Sequence, residues 1–95
     1  MRYLQLAEKH NLPRPVSLQN PYHLLNRTID IGISEVCLRE NIGNLPYSPL
    51  AFGALSGKYL QGDVPGARLT EFRNFRRFLN PNAREATKKY VELAN

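Results

Sequence analysis

The stretch Leu45-Pro46-Tyr47-Ser48-Pro49-Leu50-Ala51-Phe52-Gly53-Ala54-Leu55-Ser56-Gly57-Lys58-Tyr59 gathers residue types that could bind a ring joined to phosphates. Leu45 to Tyr47 is a short apolar run suited to the end of a buried strand. Ser48-Pro49 breaks it, because proline fixes its own φ, lacks a donor and pushes the preceding residue away from helix. Gly53, Ser56 and Gly57 then let backbone approach a ligand closely, and Lys58 closes the stretch as a positive charge. Chemically this is an aromatic face at a strand end, small residues with free amides, and a cation. The same residues also read as a strand-to-loop turn without a ligand.

Other chemistries are poorly served. Gly53-x-x-x-Gly57-Lys58-Tyr59 has one residue too few between its glycines for a triphosphate-binding loop, and Tyr59 replaces the metal-binding hydroxyl residue. No Gly-x-Gly-x-x-Gly supports a Rossmann site. His10 and His23 lack the spacing or cysteine company of a metal site and read as surface or helix-packing residues. Ser17, Ser34, Ser48 and Ser56 have no nucleophile-elbow context. Glu35 and Glu40 read as solvated helix positions, not as a catalytic carboxylate pair. Cys37 is the sole cysteine, which excludes an internal disulfide. Among Ile33, Val36 and Leu38 it reads as a small buried apolar residue.

The elements that must position the stretch follow from periodicity and punctuation. Tyr3, Leu6, Ala7 and His10 share one helical face over residues 1–11, and Leu12-Pro13-Arg14-Pro15 ends that helix. Val16 to Gln19 reads as a strand ended by Asn20-Pro21. Thr28 is placed to cap a second helix with the stripe Ile29, Ile33, Val36, Cys37 and Glu40, and Gly43 is its expected stop. Leu45 to Ser48 is the second strand, although Asn44 and Pro46 sit awkwardly in a central one. Residues 49–80 read as loop-rich, and a loop that long suggests function. Asn80 caps a final helix with Pro81 in its first turn and Ala83, Ala86, Tyr90 and Leu93 on one face. This order is α/β, with two parallel strands joined by a crossover helix. Ligands collect at the carboxyl ends of such strands, so Gln19-Asn20 and Tyr47-Ser48 fall on the same rim.

Tyr47-Ser48-Pro49-Leu50-Ala51-Phe52-Gly53 with Leu55-Ser56-Gly57-Lys58-Tyr59 resembles the segment after the seventh barrel strand of aldo-keto reductases, especially their Tas-like bacterial branch. Gln19-Asn20-Pro21-Tyr22 with Leu24-Leu25-Asn26-Arg27 resembles the end of the sixth strand in that branch. Gly66-Ala67-Arg68 and the Arg/Phe run after it match as well. The resemblance implies a partial TIM (β/α)8 barrel: two parallel strands, flanking helices and a long cofactor loop. It implies NADP(H) as cofactor and a small aldehyde or ketone as substrate. By the same resemblance Tyr47 stacks on the nicotinamide ring and Gln19 holds its carboxamide. Ser48, Pro49, Leu50, Ala51 and Phe52 meet the phosphate and ribose portion, and Lys58 and Arg68 approach the pyrophosphate. Read without the family, Gln19 and Asn20 stabilise the turn before Pro21, Tyr47 is a core tyrosine, and Lys58 and Arg68 are solvated loop charges.

With 95 residues, the chain falls far short of the roughly 250 of a closed eightfold barrel. The expectation is therefore that residues 1–95 are an internal piece of a reductase. The resemblance places the catalytic tyrosine, aspartate, lysine and histidine on earlier strands, and the usual 2′-phosphate site after the eighth. No catalytic and no metal-binding residue is assigned. A net charge of +5 leaves anionic partners open. No apolar run approaches the roughly 20 residues that span a bilayer, and no secretory apolar region follows Met1, so a cytoplasmic protein without membrane contact is expected.

Two readings of other classes stand beside this one. Arg68-Leu69-Thr70-Glu71-Phe72-Arg73-Asn74-Phe75-Arg76-Arg77-Phe78 interleaves arginines with aromatics, a pattern that could neutralise phosphates and stack on bases of a nucleic acid. A helical turn with Phe72, Phe75 and Phe78 packed inward would give the same spacing. The chain could also be a truncated, non-catalytic reductase product with exposed sheet edges.

Overall fold

Leu18 and Leu45 belong to two short strands whose parallel pairing is set by a single crossover. In the computed structural model, which describes residues 2–95, these strands are β1 (Ser17–Pro21) and β2 (Gly43–Tyr47), paired in the register Ser17↔Gly43 to Pro21↔Tyr47. The Gly43 amide donates to the Val16 carbonyl at 2.9 Å. Donors alternate sides along a strand, so Gly43, Leu45 and Tyr47 aim their amides at β1 while Asn44 and Pro46 aim away. Pro21 likewise falls on the outward side of β1. Both prolines thus occupy positions where this pair needs no donor, which is why Pro46 is tolerated and why β1 runs through Pro21 instead of ending at Gln19.

The chain divides into two compact units, residues 2–22 with Arg27–Tyr47, and His23–Asn26 with Ser48–Asn95. The first holds the strand pair, helix α1 (Arg2–Lys9), a 3-10 turn at Thr28–Asp30 and helix α2 (Ile33–Arg39). Of the expected Tyr3/Leu6/Ala7/His10 stripe Ala7 is buried, but its buried partner is Leu4, so the inner face of α1 is rotated away from Tyr3, Leu6 and His10. Both helices stop alike. Asn11 and Asn41 take φ of 51°, while Leu12 donates to Ala7 and Ile42 to Cys37, each at 2.8 Å. These 6→1 bonds satisfy carbonyls that the helix end leaves open. Asn41, not Gly43, therefore ends α2, and Gly43 opens β2.

Thr28 begins the 3-10 turn and does not cap α2, which starts after Gly32 at φ +122°. That turn breaks the expected stripe. Ile29 and Cys37 are buried, whereas Ile33 is partly exposed and Leu38 lies out in solvent. Glu35 pairs with Arg39 one turn on at the surface, as a solvated position would. Glu40 instead receives Arg14 on both its carboxylate and its backbone carbonyl, which ties the segment before β1 to the end of α2. A cavity of about 680 Å³ in this unit is lined chiefly by apolar side chains, among them Leu4, Leu18, Ile31, Ile33, Val36 and Ile42.

The second unit contains most of the buried apolar residues. Ala51, Ala54, Tyr59 and Leu69 form its centre, with Leu25, Phe52, Phe75 and Phe78 packed around them. The segment expected to be loop-rich holds 3-10 helices at Ala51–Ser56 and Arg73–Leu79 and a single α turn, α3 (Arg68–Glu71). Frequent glycines and prolines interrupt it too often for long α-helix. Helix α4 (Pro81–Ala94) begins as read: Asn80 Oδ1 accepts from the Ala83 amide at 3.0 Å, with Pro81 in the first turn. Its inner face is Ala83 and Thr87, and Leu93 is exposed. Among the described residues no helix is long and apolar enough to cross a membrane.

Candidate functional site

The register of the first unit decides what Gln19 and Tyr47 can do together. Paired residues of a parallel ladder share a face, so Gln19, Leu45, Pro21 and Tyr47 project to the same side. Gln19 and the 40% exposed Tyr47 are diagonal neighbours at the carboxyl ends of the strands. A primary amide with paired donor and acceptor therefore stands beside an available ring face. Asn20 and Asn44 project to the opposite side, where Asn20 Nδ2 and Asn44 Oδ1 are buried without a partner among the described residues.

In the second unit, Ser48 follows the strand end with φ of 54° and lies outside β2. Ala51 (51°), Phe52 (59°), Gly53 (97°) and Gly57 (81°) continue this left-handed backbone within a few residues. A bulky residue such as Phe52 seldom adopts this region, and strained backbone of this kind concentrates where ligands are held. The amides expected to be free are partly engaged: Ala51 donates to Ser48, Gly53 to Leu50 and Gly57 to Ala54, at 2.8, 2.9 and 3.1 Å. The turn is thus rigidified by its own hydrogen bonds, with Ser56 Oγ closing onto the Gly53 carbonyl at 2.8 Å. Pro49 and Leu50 form its exposed crest.

Lys58 packs its stem beside Gly53, and its ammonium sits 5.2 Å from the Tyr59 ring centroid. Arg68 lies over Phe52 at 5.1 Å and over Phe75 at 5.4 Å. The residue after Arg68 is tied to the core, since the buried Tyr59 hydroxyl accepts the Leu69 amide at 3.1 Å. Thr70 Oγ1 accepting from Val64 and Glu71 accepting from Gly66 brace the same loop. Ser48, Pro49, Leu50, Ala51, Phe52, Lys58 and Arg68 thus lie in one unit, Gln19 and Tyr47 in the other. Phe75 and Phe78 pack against the core as the helical-turn reading expects, and Phe72 is exposed.

His23, which reads in the sequence as a surface or helix-packing residue, is 7% exposed and so is not on the surface. Its ring meets Phe78 edge-on at 4.6 Å, and Nδ1 accepts from the Leu25 amide at 3.2 Å. That acceptance requires an unprotonated Nδ1, so the neutral ring carries its proton on Nε2. Burial and the nearby Arg77 cation push the imidazole pKa below its ordinary value. The unfolded chain then binds the proton more readily than the folded one, so stability is complete above about pH 6.5 and falls as pH drops below it. Thermal midpoints from pH 7.5 to 5.5 are expected to decline more steeply in the native sequence than in His23→Gln. Parallel slopes would remove His23 as the cause.

The chain belongs to the aldo/keto reductase family, whose family model matches residues 1–95. It is 50% identical over 95 residues to Protein tas of Escherichia coli strain K12, across 99% of this chain and 28% of that protein. An aldo-keto reductase of Babesia bovis is 36% identical over 100 residues, across 99% of this chain and 35% of that protein. L-glyceraldehyde 3-phosphate reductase of Escherichia coli O157:H7 is 34% identical over 89 residues, across 90% of this chain and 26% of that protein. The chain thus spans roughly a quarter to a third of the length of these relatives.

Proposed function

We propose that the chain supplies part of the NADP(H) platform of a Tas-like aldo-keto reductase, corresponding to strands six and seven of a TIM barrel, and that it has no turnover alone. The observation that carries this reading is the cluster of left-handed residues Ser48, Ala51, Phe52, Gly53 and Gly57, which starts directly after Tyr47 and leads into two exposed cations. The donor set suits the cofactor. Lys58 and Arg68 have no carboxylate within ion-pair distance among the described residues, so charge-assisted contacts to a diphosphate remain available. Tyr47 offers a flat face to a nicotinamide, and the Gln19 amide matches a carboxamide in both donor and acceptor.

When bound, NADPH supplies a hydride for reduction of an aldehyde or ketone, or NADP accepts one in reverse. The residues of this chain orient and bind; none is placed to protonate the carbonyl oxygen. Tyr47 would stack against the nicotinamide ring, Gln19 would hold its carboxamide, and the turn with Lys58 and Arg68 would hold the phosphates. Correct placement of a reacting group is itself worth several kcal/mol of barrier. The large apolar cavity of the first unit and the exposed Val16, Ile31 and Leu38 support the reading of a piece that further barrel elements cover.

Titration with NADPH, read by cofactor fluorescence, tests the platform. Saturable binding is expected, weakened on the order of tenfold by Lys58→Ala and by Tyr47→Ala. Binding indifferent to both substitutions would refute the assignment. In the same sample, carbonyl-dependent NADPH oxidation should be absent, and turnover would overturn the non-catalytic reading.

A further inference from the structure

Arg77 is not accounted for by the cofactor contacts above. Its guanidinium lies 5.2 Å from the Phe52 ring centroid and 5.2 Å from that of Phe78. Arg68 lies 5.1 Å from the same Phe52 centroid. Two full positive charges therefore converge on one aromatic ring, and both arginines are exposed. Neither has a carboxylate within ion-pair distance among the described residues. Arg73 and Arg76, from the same 3-10 helix as Arg77, share Asp63, while Arg14, Arg27 and Arg39 each hold an acid of their own. Bringing two like charges together costs free energy, which the negative face of a ring offsets only in part. An anion between or beside them would offset it directly.

The local backbone points the same way. Phe52, whose ring both cations approach, takes a left-handed φ of 59°, and it directly follows the turn Ser48–Ala51. Arg77 is anchored from behind, its carbonyl accepting from Asn80 Nδ2 at 2.8 Å. A planar guanidinium can present paired donors to phosphate oxygens, as an ammonium cannot.

We propose that Arg77 and Arg68 form a two-guanidinium clamp around Phe52 that binds a phosphate group, making Arg77 a phosphate-anchoring residue in addition to Lys58 and Arg68. That the phosphate belongs to the nicotinamide cofactor rests on the function proposed above. The clamp itself requires only residues of the second unit. The phosphate could be the pyrophosphate bridge or the 2′-phosphate, and the test separates them.

The chain is titrated with inorganic pyrophosphate, followed by phosphorus NMR line width, and with NADPH and NADH, followed by cofactor fluorescence. Arg77→Ala and Arg68→Ala are each expected to weaken pyrophosphate and NADPH binding on the order of tenfold. Arg77→Lys should recover only part of the loss, and Arg73→Ala, which removes an arginine held by Asp63, should change neither. Equal losses for NADPH and NADH assign the bridge; a loss confined to NADPH assigns the 2′-phosphate. Failure of the native chain to bind pyrophosphate, folded or not, overturns the clamp, as does unchanged pyrophosphate binding by Arg77→Ala. If NADPH binding responds to Lys58→Ala but not to Arg77→Ala, the clamp's link to the cofactor is overturned and the platform stands. Pyrophosphate binding that depends on Arg77, without any nicotinamide binding, upholds the clamp and removes the platform.

Discussion

Gly57→Ala is expected to destabilise the chain by about 3 kcal/mol, the sum of two separable costs. Gly57 sits at φ +81° and ψ −14°, where an L side chain loses roughly 1–2 kcal/mol. The added methyl would also lie 2.9 Å from Val91 Cγ2 on α4, closer than real methyl contacts come. Overpacking of that kind costs about 1–3 kcal/mol. A double-mutant cycle with Val91→Ala resolves the two. The steric part should vanish in the double variant, giving a favourable coupling of about 1–2 kcal/mol by urea denaturation, while the conformational part persists. Strict additivity would mean that α4 yields, and that Gly57 is required for its φ alone.

Tyr59 carries the second large effect. At 1% exposure it is among the most buried side chains of the molecule, and its hydroxyl is the named partner of the Leu69 amide. Tyr59→Phe keeps the ring but strands that amide, and a buried donor without a partner costs about 1–3 kcal/mol. Tyr59→Ala removes the ring as well, and aromatic-to-alanine changes in a core cost about 3–5 kcal/mol. The ordering native, Phe, Ala should appear in urea midpoints. Because Leu69 neighbours Arg68, Tyr59→Phe should also weaken NADPH binding. A phenylalanine variant with unchanged stability would show that the amide finds water, and that Arg68 is placed by other contacts.

The parts of this structure that could be read from sequence are those determined within a few residues. Asn80 and Pro81 start α4 as expected, because a cap bond spans only three residues. Alternate parallel strands with Gln19 and Tyr47 on one rim follow from spacing and from the crossover rule. Less legible were choices between residues with the same local ability. Asn41 and Gly43 both tolerate a left-handed φ, and the helix stopped at the first. Thr28 is a competent cap, but Gly32 at φ +122° reset the helix start behind it. The left-handed turn at Ala51 and Phe52 has no local signature at all. Burying Ala51 and Ala54 against Tyr59 and Leu69 imposes it. Arg77 was visible only as one basic residue in a run, since what distinguishes it from Arg73 and Arg76 is that Asp63 lies elsewhere.

Pro46 has one more effect. On the side of β2 turned away from β1, the row of amides passes from Asn44 to a residue with no hydrogen to give. A foreign strand docking there would find its zipper broken after one tooth, just where Tyr47 leads into the turn. The rim is thereby guarded against edge-to-edge self-assembly, because this edge of the strand offers the Asn44 amide as its one donor.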